Sequence, residues 1–255
     1  MNPSPGDPGG TTSRSSPIER PIRVFLFDVD GTLIRAGGAG RDAFLRTWER
    51  VFDAPHAFDR FSFAGCTDGA ILARGFREAL GREITPGERE RFFRVYLDLL
   101  PDLVATASQY RVLPGIRAVL EDLSSRPDCL LGLCTGNLEP GARAKLHRGD
   151  LNRFFSFGGY GSDSDDRSAL TAVAARRARE TAGREIEVTV IGDSPRDFQA
   201  ARSNGFRSVL VATGFHSLEV LEALGPDLLF PSFENVPEVL SRLLGPDDVP
   251  PEDPR

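Results

Sequence analysis

The segment Ile22-Arg23-Val24-Phe25-Leu26-Phe27 constrains the fold more than any other stretch of the chain. Its β-branched and aromatic residues form a near-continuous apolar run, which predicts a strand buried inside a sheet. The run leads directly into Asp28-Val29-Asp30-Gly31-Thr32-Leu33. Two carboxylates about 4 Å apart repel by roughly 4 kcal/mol at an effective dielectric near 20. A buried strand that delivers such a pair therefore needs a cation, a shared proton or a bend that splays the two groups. Gly31 permits the bend, with Asp30 past the strand's end. The plainer reading is a strand-to-turn exit, for which Asp and Gly are ordinary residues.

The same pattern of apolar strand and polar exit returns after Tyr110. Leu130-Leu131-Gly132-Leu133-Cys134 runs into Thr135-Gly136-Asn137, and Val188-Thr189-Val190-Ile191 runs into Gly192-Asp193. Shorter strands are expected at Phe154-Phe155-Ser156-Phe157 and Ser208-Val209-Leu210-Val211-Ala212. Helices are expected from Ile116 to about Ser125, from about Gly141, from Ser168 to Thr181, and from Arg196 to Asn204 with Gly205 as the stop. Apolar strands alternating with helices predict an α/β fold, a Rossmann-like doubly wound parallel sheet covered on both faces. Ligands on such sheets bind outside the carboxyl ends of the strands, so the three polar exits should converge.

Residues 41–108 break the alternation. Ala43, Phe44, Thr47, Trp48, Val51 and Phe52 fall at helical spacing, as do Phe92, Phe93, Tyr96, Leu97 and Leu100. The expected organisation is an α/β core over 22–38 and 110–245, with a small helical domain inserted at 39–109. The glycine-rich stretch from Ile34 to Gly40 would be a flexible or tightly turned link. The first 21 residues and residues 246–255 are rich in Pro, Gly, Ser, Thr or Asp and read as disordered tails.

A net charge of -6 and a pI near 5.2 argue against a nucleic-acid surface. No apolar run approaches the roughly 18 residues of a membrane span, and the N-terminal stretch does not read as a signal peptide. Cys66, Cys129 and Cys134 are odd in number and lack metal-site spacing, which predicts free thiols in a cytoplasmic protein. His56, His147 and His216 share no ligand spacing.

Three motifs in order carry a family likeness: Asp28-x-Asp30-Gly31-Thr32, Thr135-Gly136-Asn137 and Gly192-Asp193-Ser194-Pro195-Arg196-Asp197, each after a strand. Together they resemble the signature of the haloacid dehalogenase (HAD) superfamily over roughly residues 22–245. The inserted helices resemble the cap of its phosphoglycolate-phosphatase-like branch. The resemblance implies a Mg²⁺-dependent phosphatase acting on a small phosphorylated metabolite, with no nucleic-acid or membrane partner. It implies Asp28 as the nucleophile that forms an aspartyl-phosphate, and Asp30 as the general acid that later activates water. Thr135, Gly136 and Asn137 would hold the phosphate. Asp28, Asp30 through its carbonyl, and Asp193 would hold the metal, with Asp197 ligating it or a metal-bound water. For Asp197, a first-turn acid favoured by the helix dipole is an equal alternative, and Ser194 could simply cap that helix.

That family usually carries a lysine between its second and last motifs to neutralise the phosphate and the nucleophile. Lys145 is the only lysine here, eight residues past Asn137, and reads as a surface residue. Arg167, 26 residues before Asp193 at the start of a helix, stands about where that lysine belongs and is assigned the catalytic role. A pair with Asp165 or Asp166 is the blander alternative. In the insertion, Gly65-Cys66-Thr67-Asp68-Gly69 forms a polar turn that either meets substrate through Thr67 and Asp68 or is a simple interhelical turn, with Arg41 and Arg74 as candidate anion contacts. Asp30 and Asp193 argue against a dehalogenase, and the lysine-free span 36–110 argues against the superfamily's phosphonate hydrolysis. A sugar-phosphate mutase and a non-catalytic phospho-ligand-binding protein of the same fold remain as alternatives.

Overall fold

The computed structural model describes residues 20–53, 58 and 62–245. The expected tails fall outside the described residues, apart from positions 20 and 21. The strands are β1 Ile22–Phe27, β2 Ile34–Ala36, β3 Tyr110–Val112, β4 Cys129–Thr135, β5 Phe157–Tyr160, β6 Ile186–Gly192, β7 Arg207–Val211 and β8 Leu228–Phe230. The helices are α1 Ala39–Phe52, α2 Asp68–Leu80, α3 Pro86–Thr106, α4 Ile116–Ser125, α5 Glu139–His147, α6 Arg167–Ala182, α7 Pro195–Ser203, α8 Leu218–Glu222 and α9 Val236–Leu244.

Six strands form one parallel sheet in the order β5-β4-β1-β6-β7-β8. Alternation along β1 sends successive side chains to opposite faces. Phe25 and Phe27 join Leu131, Leu133 and Ile191 in a core closed by α4 and α9. Val24 and Leu26 join Val188 and Val190 in a second core against alanines of α6 and α7. Two apolar faces make β1 the central strand, which is why its run is almost unbroken.

Helices α1, α2 and α3 build a separate aromatic core from Phe44, Trp48, Phe58, Phe76, Phe92 and Tyr96. Trp48 meets Phe76 edge-on at 5.2 Å and Phe44 meets Phe58 at 5.3 Å, the favoured aromatic geometry. Helix α3 starts where its sequence dictates. Thr85 and Glu88 form a reciprocal capping box around Pro86. The antiparallel ribbon β2–β3 joins these helices to the sheet, pairing Arg35 with Arg111. No helix of the described residues is long and apolar enough to cross a membrane.

Three expectations need correction. The strand expected at Phe154–Phe157 begins only at Phe157, because Asn152–Phe154 is a 3₁₀ turn. Its continuation is Gly158-Gly159, which strand propensity disfavours. A Cβ at Gly159 would lie 2.0 Å from the Leu170 carbonyl, so glycine is what lets α6 approach. The glycine-rich link is part strand: Ile34–Ala36 pairs with Tyr110–Val112, and the turn follows at Gly37 and Gly38. The span 41–108 is not helical throughout, since residues 62–67 and 81–85 connect helices.

Candidate active site

The sheet order sets β4, β1 and β6 side by side, so their carboxyl ends form one crevice at the point where the strand order reverses. Asp28 follows β1 directly and its amide still bonds the Ile191 carbonyl of β6 at 2.9 Å. The chain then turns tightly. Leu33 and Ile34 amides bond the Val29 carbonyl, and Gly31 takes a φ of 89°. This turn carries Asp30 past the sheet edge, leaving its side chain 39% exposed while that of Asp28 is 7% exposed.

Each aspartate has its own cation. Arg167, at the start of α6, donates from Nη2 to Asp28 Oδ1 at 2.8 Å and also to Asp197 Oδ1 and the Cys134 carbonyl. Its Nε is buried without a partner among the described residues. Burial works against the guanidinium, but Asp197 and Asp28 outweigh it and hold its pKa well above the ordinary value. The blander alternative for Arg167 does not hold: Asp165 pairs with Arg89 and Asp166 caps α6.

The surface reading of Lys145 is wrong. Lys145 is 4% exposed, and its Nζ lies 2.5 Å from Asp30 Oδ2 and 2.6 Å from Asn137 Oδ1. It occupies the apolar face of α5 with Gly141, Ala142 and Leu146, and it sits beneath Gly40 of α1. A buried ammonium is tolerable only when paired, and here Asp30 and Asp68 outweigh burial and raise its pKa. Asn137 completes the chain, donating to Asp30 Oδ2 at 2.9 Å and to Thr135 Oγ1 at 2.8 Å.

Asp193 directly follows β6 at 4% exposure, and none of the described residues gives its carboxylate a hydrogen bond or ion pair. Burial, then Asp197 and Asp28, push it up to about 8. Burial likewise pushes Asp28 up to about 6, against the pull of Arg167. Asp28, Asp193 and Asp197 each offer an oxygen within 4.8 Å of the others. Backbone crowds the group from two sides, because a Cβ at Gly31 would lie 2.6 Å and one at Gly214 1.5 Å from Asp193 Oδ2. A buried, unpartnered carboxylate beside a second one fits a hard divalent cation. Asp197 fits it less well. Its Oδ1 is held by Arg167, and its Oδ2 accepts from the Ser194 amide and hydroxyl in the capping box of α7.

The turn before α2 lies against the crevice. Asp68 accepts from the Leu138 amide at 2.9 Å, and its own amide bonds the Gly136 carbonyl. Burial pushes the Asp68 carboxyl up to about 6. Gly136 is needed for this closeness, since a Cβ there would lie 2.3 Å from the Cys66 carbonyl. Thr67 does not present its hydroxyl to substrate: it donates to the Asp165 carbonyl and accepts from the Ala70 amide as the N-cap of α2. Arg74 is also misassigned, for it pairs with Glu78 on the outer surface. Arg41 does reach the mouth of the crevice, stacked over Phe63. Cys134 is buried against Thr171, its thiol pushed up to about 11 by burial, and is an inert apolar residue. The crevice encloses about 470 Å³.

A family model for haloacid dehalogenase-like hydrolases matches residues 22–205. The chain belongs to that family. It is 33% identical to a phosphoglycolate phosphatase of Caulobacter vibrioides over 231 residues, covering 87% of this chain and 92% of the relative. A phosphoglycolate phosphatase of Synechococcus elongatus is 31% identical, with 88% and 99% covered. Among solved structures, CbbY from Rhodobacter sphaeroides in complex with phosphate superposes with a TM-score of 0.66 at 22% identity, covering 84% of this chain and 96% of its own. A predicted phosphoglycolate phosphatase from Haemophilus somnus gives 0.64 at 18% identity, with 87% and 99% covered. The enzyme is thus a HAD-family hydrolase of the phosphatase kind, related in sequence to the phosphoglycolate-phosphatase branch.

Proposed function

We propose that this enzyme hydrolyses a small phosphate monoester through a covalent intermediate on Asp28, with Mg²⁺ as its cofactor. The observation that carries the reading is the buried, unpartnered Asp193 close to Asp28, whose Oδ1 is held by Arg167. Asp28 and Asp193, with the Asp30 carbonyl, would hold the metal, and when bound it supplies positive charge to the phosphoryl oxygens. Asp197 acts from behind, holding Arg167 against Asp28.

Asp28 attacks phosphorus in line with the leaving alkoxide. Arg167 neutralises charge on the transferred group, which a planar, permanently charged guanidinium does well. Asp30 protonates the leaving oxygen and afterwards takes a proton from the attacking water. Lys145 and Asn137 hold the Asp30 carboxyl in place, and Thr135 anchors Asn137. Helices α1 to α3 serve as a cap over 39–109 that excludes other water, latched by Asp68 and Gly136. The expected substrate is a phosphorylated metabolite, met in the cytoplasm.

The test is p-nitrophenyl phosphate hydrolysis with and without Mg²⁺, beside Asp28→Asn. Metal-dependent turnover lost in the variant is expected. Equal turnover by a folded Asp28→Asn protein would remove Asp28 from the chemistry.

A further inference from the structure

The mouth of the crevice is cationic in a way that the chemistry at its floor does not require. Arg35 on β2 and Arg111 on β3 stand directly opposite each other in the ribbon, and both line the cavity. Directly opposed residues of an antiparallel pair share one face, and like charges there destabilise the ribbon. Elsewhere on this acidic chain, arginines commonly find carboxylates, as Arg82 finds Glu88 and Arg177 finds Asp163. At the mouth none of the described acids pairs with Arg35 or Arg111. Arg35 donates from Nε and Nη2 to the Thr213 carbonyl, an anchorage that fixes the guanidinium and leaves Nη1 for a ligand. Gln109 and the 87% exposed ring of Phe215 share this rim.

The open crevice, even with part of it given to the metal, has room for a skeleton longer than two carbons. Phosphoglycolate has nine non-hydrogen atoms, and even at the ~30 Å³ that a water takes in the liquid they occupy about 270 Å³. The cavity offers about 470 Å³.

We infer that Arg35 and Arg111 form a second anion subsite, so that the preferred substrate is a phosphomonoester with another carboxylate or phosphate at the far end of a skeleton longer than two carbons. The inference rests on the phosphatase reading for the placement of the first phosphate. It makes the two arginines specificity-determining residues, and it separates this enzyme from relatives named for a two-carbon acid. A guanidinium anchored on a backbone carbonyl, as that of Arg35 is, loses little freedom when its remaining Nη1 donates to a carboxylate or phosphate.

The experiment measures binding, so that it does not depend on turnover. Calorimetry with the wild-type protein and Mg²⁺ would compare ω-phosphonocarboxylates of two to six carbons, the matching α,ω-bisphosphonates, and alkylphosphonates of equal length without a second charge. A longer carboxylate or bisphosphonate should bind at least about tenfold tighter than both phosphonoacetate and its uncharged match, given two charge-assisted contacts. The better of the two series identifies the second anion. Arg111→Met and Arg35→Met should each abolish that gain while leaving alkylphosphonate binding within twofold. Tightest binding by phosphonoacetate, no gain from the second charge, or a gain kept in both variants would overturn the subsite. If the gain holds but no phosphomonoester is hydrolysed, the phosphatase reading fails and the subsite stands.

Discussion

The floor of the crevice and its mouth handle charge in opposite ways. At the floor, most carboxylates have a cation within the protein, Arg167 with Asp28 and Asp197 and Lys145 with Asp30, and the exception is Asp193, which burial pushes up to about 8. All but Asp30 are nearly sealed from water. At the mouth, Arg35 and Arg111 are exposed and face each other with no acid between them among the described residues. A buried charge without a partner costs several kcal/mol, so the floor must be nearly complete in the resting protein. An exposed charge costs little, so the mouth can wait for its counterion. The difference separates the two tasks: the floor is organised for one reaction, whereas the mouth is organised for choosing what reacts.

The largest effects should come from breaking the floor. Asp28→Asn should lower turnover by at least about 10³-fold, as expected for loss of a nucleophile. A chemical-denaturation curve should show the fold intact. Arg167→Met leaves Asp28 and Asp197 buried without their cation and should cost about 3–5 kcal/mol of stability along with most turnover. Arg167→Lys should restore charge, but not the simultaneous grip on Asp28, Asp197 and the Cys134 carbonyl. Its kcat should fall between wild type and Arg167→Met.

Lys145→Met should act next in size. Because Lys145 bonds Asp30 and Asn137, the variant should lower kcat by roughly 10²-fold with a smaller change in KM, in the range of losing acid–base assistance. A rise in KM alone would place Lys145 among the binding groups instead.

The pH dependence of metal binding sharpens the contrast further. Asp193 is pushed up to about 8 and Asp28 to about 6 in the folded protein. Raised carboxyl pKa values mean that the fold holds these protons more tightly than the unfolded chain does. Their stabilising contribution is therefore complete below about pH 4, near the unfolded value, and is withdrawn as pH rises through 6 to 8. A divalent cation competes with those protons. Mg²⁺ should accordingly raise the Tm more at pH 8 than at pH 5.5, and an equal shift at both would contradict the metal set. The smallest effect should be that of Arg89→Ala. It removes the partly exposed pair with Asp165 between α3 and the loop before α6, and should cost within about 1 kcal/mol.

Sequence reading succeeded where one physical cause dominated. The buried strands showed as apolar runs, and three polar exits on adjacent parallel strands had to meet at one end of the sheet. The family resemblance pointed to Arg167, and the fold sets it against Asp28. Lys145 was not legible, because counting from Asn137 ignores the face of α5. The available signal was that Lys145 falls between Ala142 and Leu146 on the helix's apolar side. Thr67 was misjudged because a threonine before a helix serves equally as a cap, and only the fold shows its hydroxyl already engaged. Gly158-Gly159 hid β5, since glycine there serves close packing of α6 and carries no strand propensity. The facing pair Arg35 and Arg111 depends on ribbon register between residues 76 positions apart, which no local pattern records.

The central claim is that Asp28, and no other carboxylate, becomes phosphorylated. A sample turning over p-nitrophenyl phosphate with Mg²⁺ would be acid-quenched, reduced with borohydride and mapped by mass spectrometry. Reduction converts an aspartyl-phosphate to homoserine. Homoserine at position 28, dependent on substrate and metal, is the predicted result. Turnover with an unmodified Asp28, or homoserine at Asp30 or Asp193 instead, would contradict the account.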